Sequence, residues 1–225
     1  MDYVLQYSQV WPYLPRLLEG AVVTLQLAIL GFFGGLFLGT LGASIRAFGP
    51  RWMAGIVGAY VTFLMNTPQL VQIYFLFFVL PEFGIVLTSF AAVLLGITLN
   101  AGAYLTEIQR AGFESTRRSE LEAAEVLGFS RLKQVRYVVL PHISRVLYPP
   151  ISNQFIIMTL GSSMAALFGV EELTGEAFNI NARTFRSIEI FTVTAGIYVA
   201  ITIVATVLLA VLGRFVFRIR RGAGQ

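Results

Sequence analysis

The sequence predicts an all-α polytopic membrane protein with five transmembrane helices, its N-terminus outside and its C-terminus cytoplasmic. Three observations carry that prediction. Hydrophobic residues make up 56% of the 225-residue chain and charged residues only 12%, where a soluble domain carries about 25% charged residues; mean hydropathy is +0.76. Charge-free windows recur along the chain, each longer than the roughly 20 residues a helix needs to cross hydrocarbon. The basic residues between those windows fall almost entirely on one side.

The first 19 residues lack the basic start and cleavage site of a secretory signal. Tyr3, Tyr7, Trp11 and Tyr13, with two prolines, suit an interfacial segment lying at the membrane surface; a frayed terminus is the plainer reading. The predicted spans are 20–45, 52–81, 83–106, 146–170 and 190–213, so the membrane domain covers 20–213 and a basic cytoplasmic tail follows at 214–225. A helix satisfies its own backbone hydrogen bonds in lipid, which is why such windows read as helices. In the first, glycines at 31, 34, 35, 39 and 42 include the four-residue spacing that lets helices approach closely; glycine is also simply common in membrane helices. The second contains Pro68, which cannot donate to the carbonyl four residues back, so a kink or break is expected there.

Orientation follows from the positive-inside rule. With the N-terminus outside, Arg46 and Arg51, then Arg110, Arg117, Arg118, Arg131, Lys133, Arg136 and Arg145, then Arg214, Arg218, Arg220 and Arg221 lie inside, leaving three of the 16 basic residues, Arg16, Arg183 and Arg186, outside. The outer segment from Glu171 to Arg186 mixes both signs and reads either as a short helix facing a partner or as a solvated connector.

The longest inner loop, 109–145, holds the chain's most polar stretch. Ser119 followed by Glu122 fits a capping box, and Glu120, Glu122 and Glu125 suit the positive end of a helix dipole. Ala123 and Ala124 favour helix, Gly128 is placed to end it in a left-handed conformation, and Pro141 marks the return to the membrane as a boundary or first-turn residue. Ala123, Ala124 and Leu127 would form a small knob suited to a partner's groove. The residues alone equally admit a loop held to lipid by its arginines.

Several stretches together resemble one family. Glu122-Ala-Ala-Glu-Val-Leu-Gly128 with Leu140-Pro141 is similar to the EAA loop of ABC-transporter permeases. Leu99-Asn-Ala-Gly-Ala-Tyr-Leu-Thr-Glu-Ile-Gln-Arg-Ala-Gly112, Asn66-Thr-Pro-Gln-Leu-Val-Gln72, Leu147-Tyr-Pro-Pro-Ile-Ser-Asn-Gln154 and Gly169-Val-Glu-Glu-Leu173 resemble, in the right order, signatures of its polar amino acid uptake subfamily. The resemblance implies the type I importer permease fold and a multi-pass place in a bacterial inner membrane. It implies a second permease subunit, identical or homologous, and a periplasmic or lipid-anchored binding protein that delivers a polar amino acid. It also implies ABC ATP-binding subunits that carry ATP and Mg, with no cofactor on this chain. Carried over by position, Glu122, Ala123, Ala124, Leu127, Gly128 and Pro141 would couple the permease to the ATPase. The pattern departs at Ser119-Glu120-Leu121, where the family has Gly-Gln-Trp, at Met65-Asn66 for Arg-Gly, and at Leu160 to Met164, which lacks the family's lysine.

For a solute path the residues offer uncharged polar groups inside the spans: Thr67 and Gln72, with Gln69, around Pro68; Asn100, Tyr104 and Glu107 on one helical face; and Ser162 and Ser163. Interhelical hydrogen bonding is the competing role for each, and Glu107 could pair with Arg110. An enzyme is disfavoured by one histidine, His142, one aspartate, Asp2, and no cysteine. No Gly-x-x-x-x-Gly-Lys-Ser/Thr phosphate loop occurs, and the net charge of +4 gives no case for nucleic acid. The alternative function is a non-transporting membrane adaptor that recruits a cytoplasmic ATPase.

Overall fold

The computed structural model describes residues 4–115 and 118–217, and all regular structure among them is helical. The elements are α1 (Leu14–Phe48), α2 (Arg51–Met65), α3 (Gln69–Tyr74), α4 (Ser89–Glu114), α5 (Arg118–Val126), α6 (Arg131–Gln134), α7 (Leu140–Gly161), α8 (Leu173–Thr184) and α9 (Ser187–Phe217). Tyr3, Arg117 and the tail arginines 218, 220 and 221 lie outside the described residues.

Four helical runs are long and apolar enough to cross a membrane: Tyr7–Phe48, Ser89–Glu114, Val135–Phe168 and Ser187–Val216. The second expected span is not one straight helix. Arg51–Met65 and Gln69–Phe83 meet at a bend of 106°, because Pro68 takes an extended backbone (φ −60°, ψ 134°) at the start of α3. The third expected span shifts along the chain. Gly84, at φ 81°, closes the turn after Phe83, and Thr88 caps α4 by accepting from the Ala91 N–H at 3.2 Å. At its other end α4 runs past residue 106 to Glu114. Glu107, Arg110 and Glu114 pair at i, i+3 and i, i+4, which lets the helix continue into the polar region. The fourth begins earlier than residue 146: α6 joins α7 through a π-turn at Val135–Val139, and Pro141 occupies the first turn of α7.

The inner core is a crossing of α1 on α4 with almost no side chain between them. A Cβ on Gly35 would lie 2.6 Å from the Ala101 Cβ, and one on Gly39 2.6 Å from the Leu105 Cβ and 3.0 Å from the Leu105 backbone carbon. In lipid, where water exclusion does not drive helices together, such close contact is what associates them. Leu27, Ile73, Val93, Ile97, Leu105 and Met158 complete this core.

A second cluster sits at the opposite end, where Val10, Leu17, Leu173, Ala177, Ile180 and Ile190 are buried together. The segment from Glu171 to Arg186 is therefore not a solvated connector: α8 is amphipathic and packs its apolar face on α1, α9 and the N-terminal segment. Arg186 adds hydrogen bonds to the Val4 carbonyl and to Gln6 and Gln9, and the Gln6 N–H donates to Glu189.

Glu172 anchors this end. Its side chain is fully buried, and its carboxylate accepts four hydrogen bonds. Oε1 takes the Thr174 and Gly175 backbone N–H groups at 2.9 and 3.0 Å, capping α8. Oε2 takes the Thr24 hydroxyl of α1 at 3.0 Å and the Tyr198 hydroxyl of α9 at 2.8 Å. One residue thus ties three helices and satisfies donors that would otherwise be orphaned. Glu172→Ala strands buried donors and is expected to lower stability by about 3 kcal/mol. Thermal unfolding in detergent checks this against Glu171→Ala at the exposed neighbour, expected to be near neutral.

Candidate functional site

The break at Pro68 opens a pocket between the α2–α3 elbow, α4 and α7. Proline lacks an N–H and its ring clashes with a continuing helix, so the chain leaves α2 at Met65 and re-enters helix at Gln69. The exposed backbone is taken up by Gln72, whose Nε2 donates to the Leu64 and Thr67 carbonyls at 2.9 and 3.0 Å. Its Oε1 accepts from Asn100 Nδ2 of α4 at 3.1 Å. Thr67 donates to the Phe63 carbonyl at 2.9 Å. The amide side chain of Gln72 replaces the backbone bonds that the break removes and fastens the elbow to α4.

The pocket has a volume of about 540 Å³ and is lined by three walls: residues 65–69 at the break, Ile97, Asn100 and Tyr104 of α4, and Gln154, Ile157 and Met158 of α7. No charged side chain lines it. Its polar groups are carboxamides, a threonine hydroxyl and a phenol, with methionine and isoleucine between them. Such a mixed, convergent lining suits a small polar solute.

Of the residues singled out for a solute path, Thr67, Asn100 and Tyr104 line this pocket and Gln72 stands behind it. The others are elsewhere. Glu107 is held by Arg46 of α1 and by Arg110 at 2.8 Å. Ser162 and Ser163 donate back to the Thr159 and Leu160 carbonyls, each at 2.8 Å, as membrane-helix serines commonly do. Gln154 was not singled out. It is nine-tenths buried and belongs to the Leu147–Gln154 stretch; a glutamine in an apolar helix is the signal that marks it.

The loop 109–145 forms a second feature. α5 starts at Arg118, so Ser119 lies inside the first turn rather than at the cap. Gly128 ends the unit with φ 75°. Its N–H donates to the Glu125 carbonyl at 2.9 Å and the Phe129 N–H to the Ala124 carbonyl at 3.0 Å, the paired bonds of a Schellman motif. Ala124 is buried against the loop, 4% exposed, whereas Leu127 is 74% exposed and Ala123 and Glu122 face outward. Between α5 and the start of α7 runs a groove of about 560 Å³, whose lining includes Ala123, Leu127, Tyr137, Pro141, His142 and Arg145. Among the described residues, no group of three or more His, Asp or Glu is placed to hold a metal ion.

Comparison with known proteins gives this architecture its family. Residues 31–221 match the model of the binding-protein-dependent transport system inner membrane component. The chain is 38% identical over 211 residues to the glutamine transport system permease protein GlnP of Escherichia coli (strain K12), covering 92% of this chain and 96% of that one. It is 34% identical over 182 residues to the L-cystine transport system permease protein TcyB of Bacillus subtilis (strain 168), covering 81% and 78%. Its fold is similar to that in the crystal structure of an amino acid ABC transporter with histidines, with TM-score 0.88, 28% identity and coverage of 94% and 99%. The chain belongs to the family of binding-protein-dependent transport system inner membrane components, as a multi-pass permease subunit whose ATPase activity resides on a separate subunit.

Proposed function

We infer that this permease subunit imports a polar amino acid through the pocket at the Pro68 break, driven by an ATPase that grips α5. The bent pair α2–α3 counts as one span in this reading, giving five spans with the N-terminus outside and the loop 109–145 in the cytoplasm. The permease works with a second permease subunit, identical or homologous, and receives its substrate from a periplasmic or lipid-anchored binding protein. Glu122, Ala123, Ala124, Leu127, Gly128 and Pro141 form the coupling unit, and Thr67, Asn100, Tyr104 and Gln154 face the substrate.

The observation that carries this reading is the uncharged polar pocket built on a broken helix at the centre of a chain of this family. Broken helices place polar backbone and side-chain groups where a solute can meet them inside a bilayer. α5 supplies the other half. It is a short, stably ended helix with small side chains outward, joined by α4 directly to the pocket wall.

Reconstitution tests it. Proteoliposomes holding the permease, its ATP-binding subunits and the binding protein are expected to accumulate amino acid only with ATP inside the coupled complex. Co-purification with the ATPase but no uptake and no substrate-stimulated hydrolysis would instead establish the adaptor function.

A further inference from the structure

Three polar side chains in the pocket at the Pro68 break have no hydrogen-bond partner among the described residues. Gln69, Tyr104 and Gln154 all line it, and none makes a hydrogen bond to any described residue. They come from three walls: α3, α4 and α7. Gln154 is only 7% exposed, so its carboxamide has nowhere to point but the pocket. Gln69 and Tyr104 are half-buried, so all three groups are polar atoms open to the cavity, free to bond whatever solute or water fills it. Nearby carboxamides are already engaged: Asn100 donates to Gln72, and Asn66 donates to the Thr62 carbonyl at 2.7 Å. Gln69, Tyr104 and Gln154 are the groups left over.

The pocket also lacks any ionised side chain. The nearest charges along α4, Glu107 and Arg110, are paired with each other, and Glu107 also with Arg46 of α1. A substrate's α-carboxylate and α-ammonium are common to every amino acid and cancel. Its side chain decides the balance, and a net charge there would enter the membrane interior with no counter-charge, which is strongly unfavourable. A carboxamide side chain, by contrast, brings a donor and an acceptor that glutamine and phenol groups can meet in both senses.

We propose that Gln154, with Gln69 and Tyr104, reads the substrate side chain and restricts this pocket to amino acids whose side chains are polar but uncharged. The inference rests on the reading of the pocket as the substrate path. It makes the membrane subunit a second filter, independent of the binding protein.

The test is equilibrium binding to the permease–ATPase complex in detergent without binding protein, using radiolabelled L-glutamine, L-glutamate and L-arginine. L-Glutamine is expected to bind at least about tenfold more tightly than either charged amino acid. Gln154→Glu is expected to raise L-arginine affinity about tenfold and to weaken L-glutamate further, by supplying a counter-charge of one sign. Gln154→Met is expected to weaken L-glutamine without raising L-arginine. Melting temperatures report folding of each variant, and Gln69→Glu, on the opposite wall, makes the same test should position 154 prove intolerant. Equal binding of a charged amino acid to the unmodified complex, or unchanged preference in the folded glutamate variants, overturns the filter while leaving the pocket as the substrate path. Binding of none of the three overturns both, and the uptake measurement then judges the importer reading alone.

Discussion

Ala123→Trp is expected to leave the permease folded and to abolish substrate-stimulated ATP hydrolysis by the complex. The first half follows from position: Ala123 faces outward on α5, beside a groove rather than within a core. An indole there projects from the surface and disturbs little of this chain. The second half follows from reach. A helix that couples by docking must bring its backbone close to its partner, and alanine is the side chain that permits it. The indole holds α5 away across the central part of the contact. Overfilling a close contact costs about 2 kcal/mol or more, which weakens docking at least roughly thirtyfold and, where the indole cannot be accommodated, prevents it. The neighbour discriminates coupling from folding. Ala124 is 4% exposed, so Ala124→Trp is expected to unfold or misplace the loop itself and to lower the yield of intact permease. Full coupled hydrolysis by the Ala123→Trp complex would remove α5 from the docking role.

Gly39→Val is expected to have the largest effect on the membrane domain. Its Cβ would fall 3.0 Å from the Leu105 backbone carbon and 2.6 Å from the Leu105 Cβ. The obstruction is main chain, which cannot turn aside as the end of a flexible side chain can. Overfilling a packed site commonly costs 1–3 kcal/mol; here two helices must part, and a loss exceeding about 3 kcal/mol is expected. The measurable outcome is loss of monodisperse permease after extraction, with a lowered unfolding temperature in any residue that survives. Gly55→Ala and Gly58→Ala serve as controls, since nothing lies within 4 Å of a Cβ at either position. Each is expected to be neutral or to gain up to about 1 kcal/mol through helix propensity. Equal damage at positions 39 and 55 would show that glycine content, not close approach, governs this bundle.

The parts of the molecule that were legible in the sequence are those written in local rules. Charge-free length gave the membrane helices, Pro68 gave the break, and Gly128 gave the left-handed end of α5. Asn100 and Tyr104 share a face by their four-residue spacing, and that face meets the break. What escaped depends on which helix lies opposite which. Gln154 reaches the pocket only because α7 packs beside α4, a relation that its own neighbours do not encode. That Ser162 and Ser163, which donate to nearby carbonyls, stand away from the pocket at Pro68 is likewise a tertiary fact. Glu172 belongs to the Gly169–Leu173 stretch that resembles a family signature, but that resemblance does not state what its carboxylate bonds. The carboxylate is matched by two N–H groups and two hydroxyls, and only tertiary structure brings Thr24 and Tyr198 to it.

The clamp at Gln72 has a mechanical consequence. A proline break left to itself is a loose joint that absorbs displacement. Here one carboxamide spans the gap on one side and holds α4 on the other, which favours one angle of the joint over others. On the proposed coupling through α5, a displacement of α4 would carry the α2–α3 elbow with it through the Asn100–Gln72 bond. The walls formed by residues 65–69 and by α4 would then move together, and any opening or closing of the pocket would fall at the wall formed by α7.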